Sequence, residues 1–206
     1  LFNTLIYANI GAYNYYVIMP ANLHNTNSVI QNLPQDKVFI LDQIHDDLKP
    51  YSAIYQNFEQ DIFNGLEKAI HLIKKYENLI LLFPEDKQPQ GMLNGFKEFC
   101  KIHNLNHSVI ASLKNNTPKT GDVFIIPDDK NLLRIIKSFK RNHLKLADDV
   151  GVISYNDTLL KEIVADGITT ISTDFNAMGK KLAAMILNKE VGKIVNPNNL
   201  FIRNSL

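Results

Sequence analysis

Short, continuously apolar runs alternate with longer amphipathic stretches along almost the whole of this sequence. Most of the runs do not alternate between apolar and polar residues, which is typical of parallel strands that are buried on both faces of a sheet. Seven runs have a strand-like character: YYVIMP from Tyr15, KVFILD from Lys37, NLILLF from Asn78, HSVIAS from His107, DVFIIP from Asp122, VGVISY from Val150 and TTIST from Thr169.

The stretches between these runs carry apolar residues at three- and four-residue spacing, as one face of a helix does. The clearest begin near Glu59, after the sequence PDDK that starts at Pro127, and near Met178, and a further helix is predicted over 90–102. Strands that alternate with helices form βαβ units around a parallel sheet. The predicted fold class is therefore α/β. The most loop-like segment is LKNNTPKTGD, residues 113–122, which is too short for an interdomain linker.

Composition excludes several classes of function. The 206 residues suffice for one large domain or two small ones, and the formal net charge of +1 creates no overall attraction to DNA or to an anionic membrane. The single cysteine, Cys100, excludes an internal disulfide framework and favours a reducing, cytoplasmic location. We expect Cys100 to be an inert, semi-buried thiol on a helix. No apolar run is long enough for a membrane span. Because the chain begins with Leu1, we interpret it as a fragment whose natural N-terminus is missing.

Motifs for catalysis and cofactor binding are absent from the sequence. It contains no glycine-rich phosphate loop, no G-x-S-x-G, no H-E-x-x-H and no C-x-x-C. His103 and His107 have a spacing that a helix could use for a metal, but the intervening NLN predicts a turn between them. We therefore predict no enzymatic activity, no cofactor and no metal.

The segment from Asp149 resembles the C-terminal half of lactose-repressor-like (LacI/GalR) effector domains. The family pattern D-[IV]-x-[VI]-x-[GS]-[FY]-[DN]-D stands here as DVGVISYNDT, and it is followed by DGITTISTDFNAMGKKLAAMIL. The closing LFIRNSL is similar to the family's L-x-x-R-x-S. One departure is that Asp166-Gly167 replaces the proline usually found before LTT. Upstream, ILDQ, AIYQNFEQDIFNGL and VFIIPDD also resemble family segments.

This resemblance implies a type I periplasmic-binding-protein fold, with two lobes of parallel sheet flanked by helices. The first lobe would span 1–56 and be joined by about 175–192, and the second would span 57–174 and be joined by about 193–206. The family's first strands, and any DNA-binding headpiece, would be missing from this chain. NFEQDIFNGL together with SYNDT is most similar to regulators that carry a GntR-type winged-helix headpiece, the arabinose-repressor-like arrangement.

The function implied is that of an effector-binding domain of a bacterial transcription regulator. A small sugar would bind between the lobes and drive their closure, and the protein would act as a homodimer that contacts DNA only through the headpiece. The alternative is a sugar-binding protein of a membrane transporter, although the closing LFIRNSL favours the regulator. A small α/β enzyme is a third hypothesis, for which no nucleophile or cofactor motif is found.

Candidate ligand-binding residues follow from the same resemblance, position by position. Asp42 and Gln56 would come from the first lobe and its exit, and Asp128, Asn156 and Thr173 from the second lobe and the hinge strands. Carboxylates and amides suit sugar hydroxyl groups, which both donate and accept hydrogen bonds.

Structural roles are the alternative for several of these residues. Either Asp128 or Asp129 could cap the following helix, and we expect Asp129 to cap while Asp128 faces the ligand. Asp42 could be an ordinary strand-end residue. The neighbouring Asp157 is interpreted as structural, fixing the turn after Tyr155.

One departure from the family pattern bears on the ligand. The family often places a hydroxyl-clamping arginine three residues before the glycine of its R-x-x-G-[FW] segment, where this chain has Met92 in QGMLNGF. The pocket is therefore predicted to be less cationic, with Gln88 or Gln90 as substitutes for the arginine.

Overall fold

The computed structural model describes residues 1–84 and 87–206, and it confirms the predicted α/β class. Within these ranges the chain forms two sheets, each flanked by helices. The strands are β1 (Tyr16–Ile18), β2 (Val38–Asp42), β3 (Ser52–Tyr55), β4 (Asn78–Leu82), β5 (His107–Ile110), β6 (Asp122–Ile126), β7 (Gly151–Tyr155), β8 (Thr169–Thr173), β9 (Lys193–Val195) and β10 (Asn198–Phe201). The helices are α1 (Phe2–Ala8), α2 (Asn27–Ile30), α3 (Phe58–Ile73), α4 (Gln90–Ile102), α5 (Asp129–Arg141), α6 (Leu159–Ile163) and α7 (Phe175–Asn188).

The first of two compact units comprises residues 1–57 and 174–197. Its sheet has the order β1-β2-β3-β9, and all the pairings are parallel. Alternate residues of β2 belong to different cores. Val38 and Ile40 pack in one apolar cluster, whereas Phe39 packs in another with Met178 and Met185 of α7. Burial on both faces explains why this strand reads as a continuous apolar run.

The second unit comprises residues 58–173 and 198–206, and its sheet has the order β10-β8-β7-β6-β4-β5. Only β10, which pairs with β8, is antiparallel in this described sheet. Apolar side chains of α3 and α4 form a core with Val123 and Ile125 of β6, and those of α5 form a second core with Phe124 and Ile126.

Helices α3 and α4 approach each other closely at Gly95. A Cβ atom placed on Gly95 would collide with the backbone carbonyl oxygen of Glu59. Only a residue without a side chain therefore fits at this crossing.

The closing segment holds the amino ends of β7 and β8. The Oγ of Ser205 accepts a hydrogen bond from the Thr169 amide at 2.8 Å and donates one to the Val152 carbonyl at 2.6 Å. The Val152 amide in turn donates to the Ser205 carbonyl at 2.8 Å. The R-x-S ending noted in the sequence is therefore a structural part of the second unit.

The seven predicted strands and four predicted helices are confirmed, and α4 has the predicted bounds. Three short strands (β3, β9, β10) and three short helices (α1, α2, α6) were not predicted. The sequence-based division grouped 193–206 with the second lobe, whereas Lys193–Val195 pairs with β3 in the first unit. The assignment of the two units as ligand-binding lobes stays a prediction.

Two smaller predictions can be compared with the structure, and it also explains the departure from the family pattern at Asp166-Gly167. A turn separates His103 from His107, because α4 ends at Ile102 and Asn104 has a φ of 52°. Cys100 is fully buried, and burial raises the pKa of its thiol to about 12, which keeps it protonated and unreactive. Asp166 and Gly167, at φ 61° and 106°, have a backbone that the family's proline could not adopt.

No helix in the described part of the chain is long and apolar enough to cross a membrane.

Candidate functional site

Polar side chains follow the carboxyl ends of strands in both sheets, the position at which open parallel sheets bind ligands. In the first unit, Asp42 ends β2 and Gln56 follows β3; we call this pair the first edge. In the second unit, Asp128 follows β6, Asn156 follows β7 and Thr173 ends β8; we call these three residues the second edge.

The structure brings the two residues of the first edge into direct contact. Nε2 of Gln56 donates a hydrogen bond to Oδ1 of Asp42 at 2.5 Å, and the Gln56 amide donates to the Asp42 carbonyl at 2.9 Å. Asp42 has a φ of 75°, a left-handed conformation that aspartate tolerates better than most residues. Gln56 is 6% exposed, and its buried Oε1 has no hydrogen-bond partner among the described residues.

Asn156 is the most unusual residue of the second edge. Its φ of 59° turns the chain sharply after β7, while its amide donates to the Ile171 carbonyl at 2.8 Å. Its side-chain Oδ1 is buried, and within residues 1–84 and 87–206 nothing donates a hydrogen bond to it. Buried polar atoms are nearly always paired, so an unpaired one requires an explanation such as a ligand or an ordered water.

A buried lysine holds the backbone at Asn156. Lys161 is 1% exposed, and its Nζ donates to the carbonyl oxygens of Tyr155 and Asn156, each at 2.6 Å. The same Nζ forms an ion pair with Asp129 of α5 at 3.0 Å. Lys161 thus satisfies two carbonyl groups at the end of β7 and fixes the strained turn. The sequence analysis missed this role, because helix α6 was not predicted and lysine is a residue type that is usually exposed.

Thr173 lies beside a second residue that the sequence analysis missed. Thr173 is 3% exposed, and its Oγ1 has no hydrogen-bond partner in the described part of the chain. Its partner across the β8–β10 pairing is Asn198, whose buried Nδ2 is also unpaired among the described residues. Directly opposite residues of an antiparallel pair point to the same face. The Thr173 hydroxyl oxygen and the Asn198 amide nitrogen, both unpaired among the described residues, therefore lie on the same face at the end of β8.

The expectation that Asp129 caps α5 was wrong, because Asp128 is the cap. Asp128 is the N-cap of α5: its Oδ1 accepts from the Asn131 amide at 2.9 Å and its Oδ2 accepts from Asn131 Nδ2 at 2.8 Å. Asp129 is the first helical residue and pairs with Lys161. The extended backbone of Asp128, with φ −115° and ψ 147°, is the one that an N-cap requires. Asp128 remains at the second edge, but both of its carboxylate oxygens are already engaged.

Replacing Asp128 by alanine should lower the free energy of unfolding by about 1 kcal/mol, the usual effect of losing an N-cap. Asp128→Ser should lose much less, because serine caps helices about as well as aspartate does. Urea unfolding followed by circular dichroism would measure both variants. Equal losses for the two would show that the cap does not account for the stability at this position.

Asp157, next to Asn156, forms a partly buried ion pair with the closing segment. Arg203 Nη1 lies 2.7 Å from Oδ1 and Nη2 lies 2.8 Å from Oδ2, and Thr170 Oγ1 donates to Oδ1 at 2.8 Å. The hydrogen bonds from Arg203 lower the pKa of Asp157 below its ordinary value, with a smaller contribution from Thr170. The contacts give Asp157 a structural role, but its carboxylate binds the closing segment and β8 rather than the turn after Tyr155, where it was predicted to act.

Neither of the glutamines proposed as substitutes for the family's arginine is placed at a strand edge by the described contacts. Gln88 is half-buried next to residues 85–86, which lie outside the described ranges, and Gln90 Nε2 donates to Asn94 Oδ1 at 3.2 Å. Met92, at the position of the arginine, is 1% exposed and packs in the core with α3 and α4. An apolar residue there serves packing rather than ligand binding.

The chemistry available at both edges is hydrogen bonding by carboxylate, amide and hydroxyl groups. No cluster of three or more metal-binding side chains occurs in residues 1–84 and 87–206. The polar atoms that lack partners are neutral oxygens and amide nitrogens, so they suit a neutral ligand with several hydroxyl groups.

Comparison with known proteins identifies the family. A sequence model of the periplasmic binding protein-like domain matches residues 71–205, which is more than half of the chain. The chain belongs to this family. A search of curated proteins finds no match.

Solved structures with this fold include transcription regulators. The lactose repressor bound to the anti-inducer ONPF has a TM-score of 0.77 and 15% identity, covering 98% of this chain and 82% of that chain. A periplasmic binding protein/LacI transcriptional regulator from Alkaliphilus metalliredigens, complexed with D-xylulofuranose, has a TM-score of 0.73 and 15% identity, with 98% and 82% covered. The transcriptional regulator CelR in complex with cellobiose has a TM-score of 0.79 and 12% identity, with 100% and 70% covered.

The TM-scores of 0.73–0.79 establish that this periplasmic binding protein-like domain shares its fold with these regulators.

Proposed function

We propose that this periplasmic binding protein-like domain is the effector-binding domain of a bacterial transcription regulator, and that its effector is a small neutral sugar. The observation that carries the proposal is the set of unpaired, buried polar atoms at strand ends. Gln56 Oε1 lies at the first edge and Asn156 Oδ1 and Thr173 Oγ1 lie at the second, all without partners among the described residues.

A sugar matches these groups because each hydroxyl both donates and accepts a hydrogen bond. Asn156 and Gln56 each offer an amide, Thr173 a hydroxyl and Asp42 a carboxylate. A site built in this way rejects an analogue that lacks one hydroxyl, since a buried polar group then stays unpaired. The core position of Met92 supports a pocket with less positive charge than the arginine-containing family pattern.

Regulation in this proposal is a population shift between two conformations of the protein. The sugar must bind one conformation better than the other, and it changes DNA affinity through that difference. DNA contact would belong to a headpiece outside this chain, of the GntR winged-helix type, and the protein would act as a homodimer matched to two half-sites. The regulators among the structural neighbours support the assignment as an effector-binding domain of a regulator.

A sugar-binding protein of a membrane transporter is the second candidate, and the family name itself favours it. The two candidates differ in what is fused to the domain. A gene sequence that encodes a winged helix before Leu1 would support the regulator, whereas a secretory signal peptide there would support the transporter.

Calorimetric titration of the chain with pentoses, hexoses, deoxyhexoses and nucleotides tests the proposal. We expect at least one neutral sugar to bind with measurable heat, and nucleotides to bind far more weakly, because the sequence has no glycine-rich phosphate loop. Tight nucleotide binding at the strand edges, with no sugar binding, would contradict the sugar assignment.

A further inference from the structure

The connection between β5 and β6 departs from the usual form of a parallel crossover. In the sheet, β4 lies between these two strands, so residues 111–121 must cross over it. Such crossovers are usually made by an α-helix. Here the connection contains no helix, and Leu113 alone of its apolar residues packs against the core that α5 forms on this face.

A pocket of about 430 Å³ lies between this connection and α5. Its volume is within the range of small-molecule sites. The residues that line it come from only two segments, the connection (Ser112, Leu113, Lys114, Asn116) and α5 (Asn131, Arg134, Ile135, Ser138). The pocket therefore lies entirely within the second unit.

The charged side chains that line the pocket are both cationic. Lys114 comes from the connection and Arg134 from α5, and no carboxylate is among the lining residues, all of which the structure describes. The hydroxyl groups of Ser112 and Ser138 add hydrogen-bond donors, whereas Asn116 Nδ2 already donates to the carbonyl oxygens of Ser112 and Lys114.

Arg134 is held in position by a short chain of hydrogen bonds. Its Nη1 donates to Asn131 Oδ1 at 3.1 Å, and Asn131 is fixed in turn by both carboxylate oxygens of Asp128. Guanidinium has five N–H donors, and in the described part of the chain no other acceptor takes the remaining four. A guanidinium with free, oriented donors favours bidentate binding of a phosphate group.

The helix behind the pocket strengthens the attraction for anions. Helix α5 carries one carboxylate, Asp129, and five cationic side chains: Lys130, Arg134, Lys137, Lys140 and Arg141. Although the chain as a whole has a net charge of only +1, the exposed side of α5 is strongly basic. Clustered charge of one sign raises the local concentration of the opposite ion.

We propose that the pocket between residues 112–116 and α5 binds phosphate, either as the free ion or as the phosphate group of a small phosphorylated metabolite. Arg134 and Lys114 neutralise the charge, and the hydroxyl groups of Ser138 and Ser112 complete the hydrogen bonds. No aromatic side chain lines the pocket, so a nucleotide base gains no stacking there. This site is independent of the proposed sugar site, and either could exist without the other.

The test is an NMR titration of the 15N-labelled chain with inorganic phosphate, with glucose 6-phosphate and with glucose. We expect saturable shifts confined to the amides of 112–116 and 131–138 for the two phosphorylated probes, and none there for glucose. Arg134→Gln should raise the phosphate Kd about tenfold, since it removes a charge-assisted hydrogen-bond pair. Lys137→Gln is the matched control: it removes the same charge from an exposed position of α5 outside the pocket, and should change Kd less than about twofold.

The relative affinity of the two probes distinguishes the sources of phosphate. Tighter binding of glucose 6-phosphate assigns the pocket to sugar phosphates, and tighter binding of inorganic phosphate assigns it to the free ion. Three results would overturn the proposal: shifts that never saturate, equal weakening by Arg134→Gln and Lys137→Gln, or shifts centred on Asn156 and Thr173 instead of the pocket. Circular dichroism spectra of both variants would confirm that they are folded.

Discussion

Replacing Asp157 by alanine is expected to lower the free energy of unfolding by about 3 kcal/mol, the effect of removing one partner of a largely buried ion pair. The Asp157 side chain is 17% exposed and that of Arg203 is 19% exposed, so water screens the pair only in part. Without Asp157, Arg203 keeps its charge and loses two hydrogen bonds at 2.7 and 2.8 Å. It keeps the Ile168 carbonyl at 2.9 Å and the more exposed Glu162 at 3.7 Å as partners. The closing segment, which holds β7 and β8, would then be less firmly attached.

A double-mutant cycle separates the pair from its surroundings. Asp157→Ala, Arg203→Ala and the double variant should be unfolded in urea and followed by circular dichroism, since the chain has no tryptophan for fluorescence. We expect the double variant to lose clearly less stability than the sum of the single variants, because neither charge is left alone. Strict additivity would show that the two residues do not act as a pair.

The pH dependence of stability gives an independent check on the same pair. Hydrogen bonds from Arg203 hold the pKa of Asp157 below its unfolded value of about 3.9. A carboxylate with a lowered folded pKa contributes stability that is fully present above the unfolded pKa and is lost as the pH falls through the folded pKa. The stability difference between the wild type and Asp157→Ala should therefore be constant near neutral pH and shrink below about pH 4.

Asn156→Ala is expected to weaken sugar binding by about 1–3 kcal/mol, which is roughly 5- to 150-fold in Kd. The reason is that a ligand hydroxyl would lose its partner at Asn156 Oδ1, which has none among the described residues. The variant should also lose about 1 kcal/mol of stability, since alanine tolerates the φ of 59° less well than asparagine. The affinity would be measured by calorimetry with the tightest-binding sugar of the panel.

Asn156→Gly is the control for this backbone effect. Glycine adopts positive φ at little steric cost, so this variant removes the amide with less strain. Both variants should lose affinity to a similar extent, while only the alanine variant melts clearly lower. If Asn156→Ala instead melts far lower yet binds sugar normally, Asn156 is a structural residue and the assignment of the second edge is wrong.

Local patterns explain why so much of the fold could be predicted. A strand that is buried on both faces is apolar at successive positions: in β6, Val123 and Ile125 belong to one core and Phe124 and Ile126 to the other. A helix such as α5 repeats apolar residues along the one face that packs in a core. Strands β3, β9 and β10 are three or four residues long and have exposed or half-buried positions. Their sequences are therefore too short and too polar to stand out, and they become strands through pairing with neighbours that are distant in the chain.

The candidate site was less predictable because it depends on tertiary contacts. The roles of Lys161, which satisfies the carbonyls at the end of β7, and of Asn198, which lies opposite Thr173, follow from packing and pairing. The choice between Asp128 and Asp129 as the cap depends on where α5 begins, and sequence patterns define such ends only to within a residue or two. Asn156 and Asp42 were identified by their resemblance to a family pattern, and their positive φ became visible only in the structure.

A crystal structure of the chain with the tightest-binding sugar tests the central claim most directly. The account predicts sugar hydroxyl groups within roughly 2.5–3.0 Å of Asn156 Oδ1 and Thr173 Oγ1, the two buried oxygens of the second edge that lack partners in the described chain. A sugar bound elsewhere, with these two oxygens still unpaired, would contradict it.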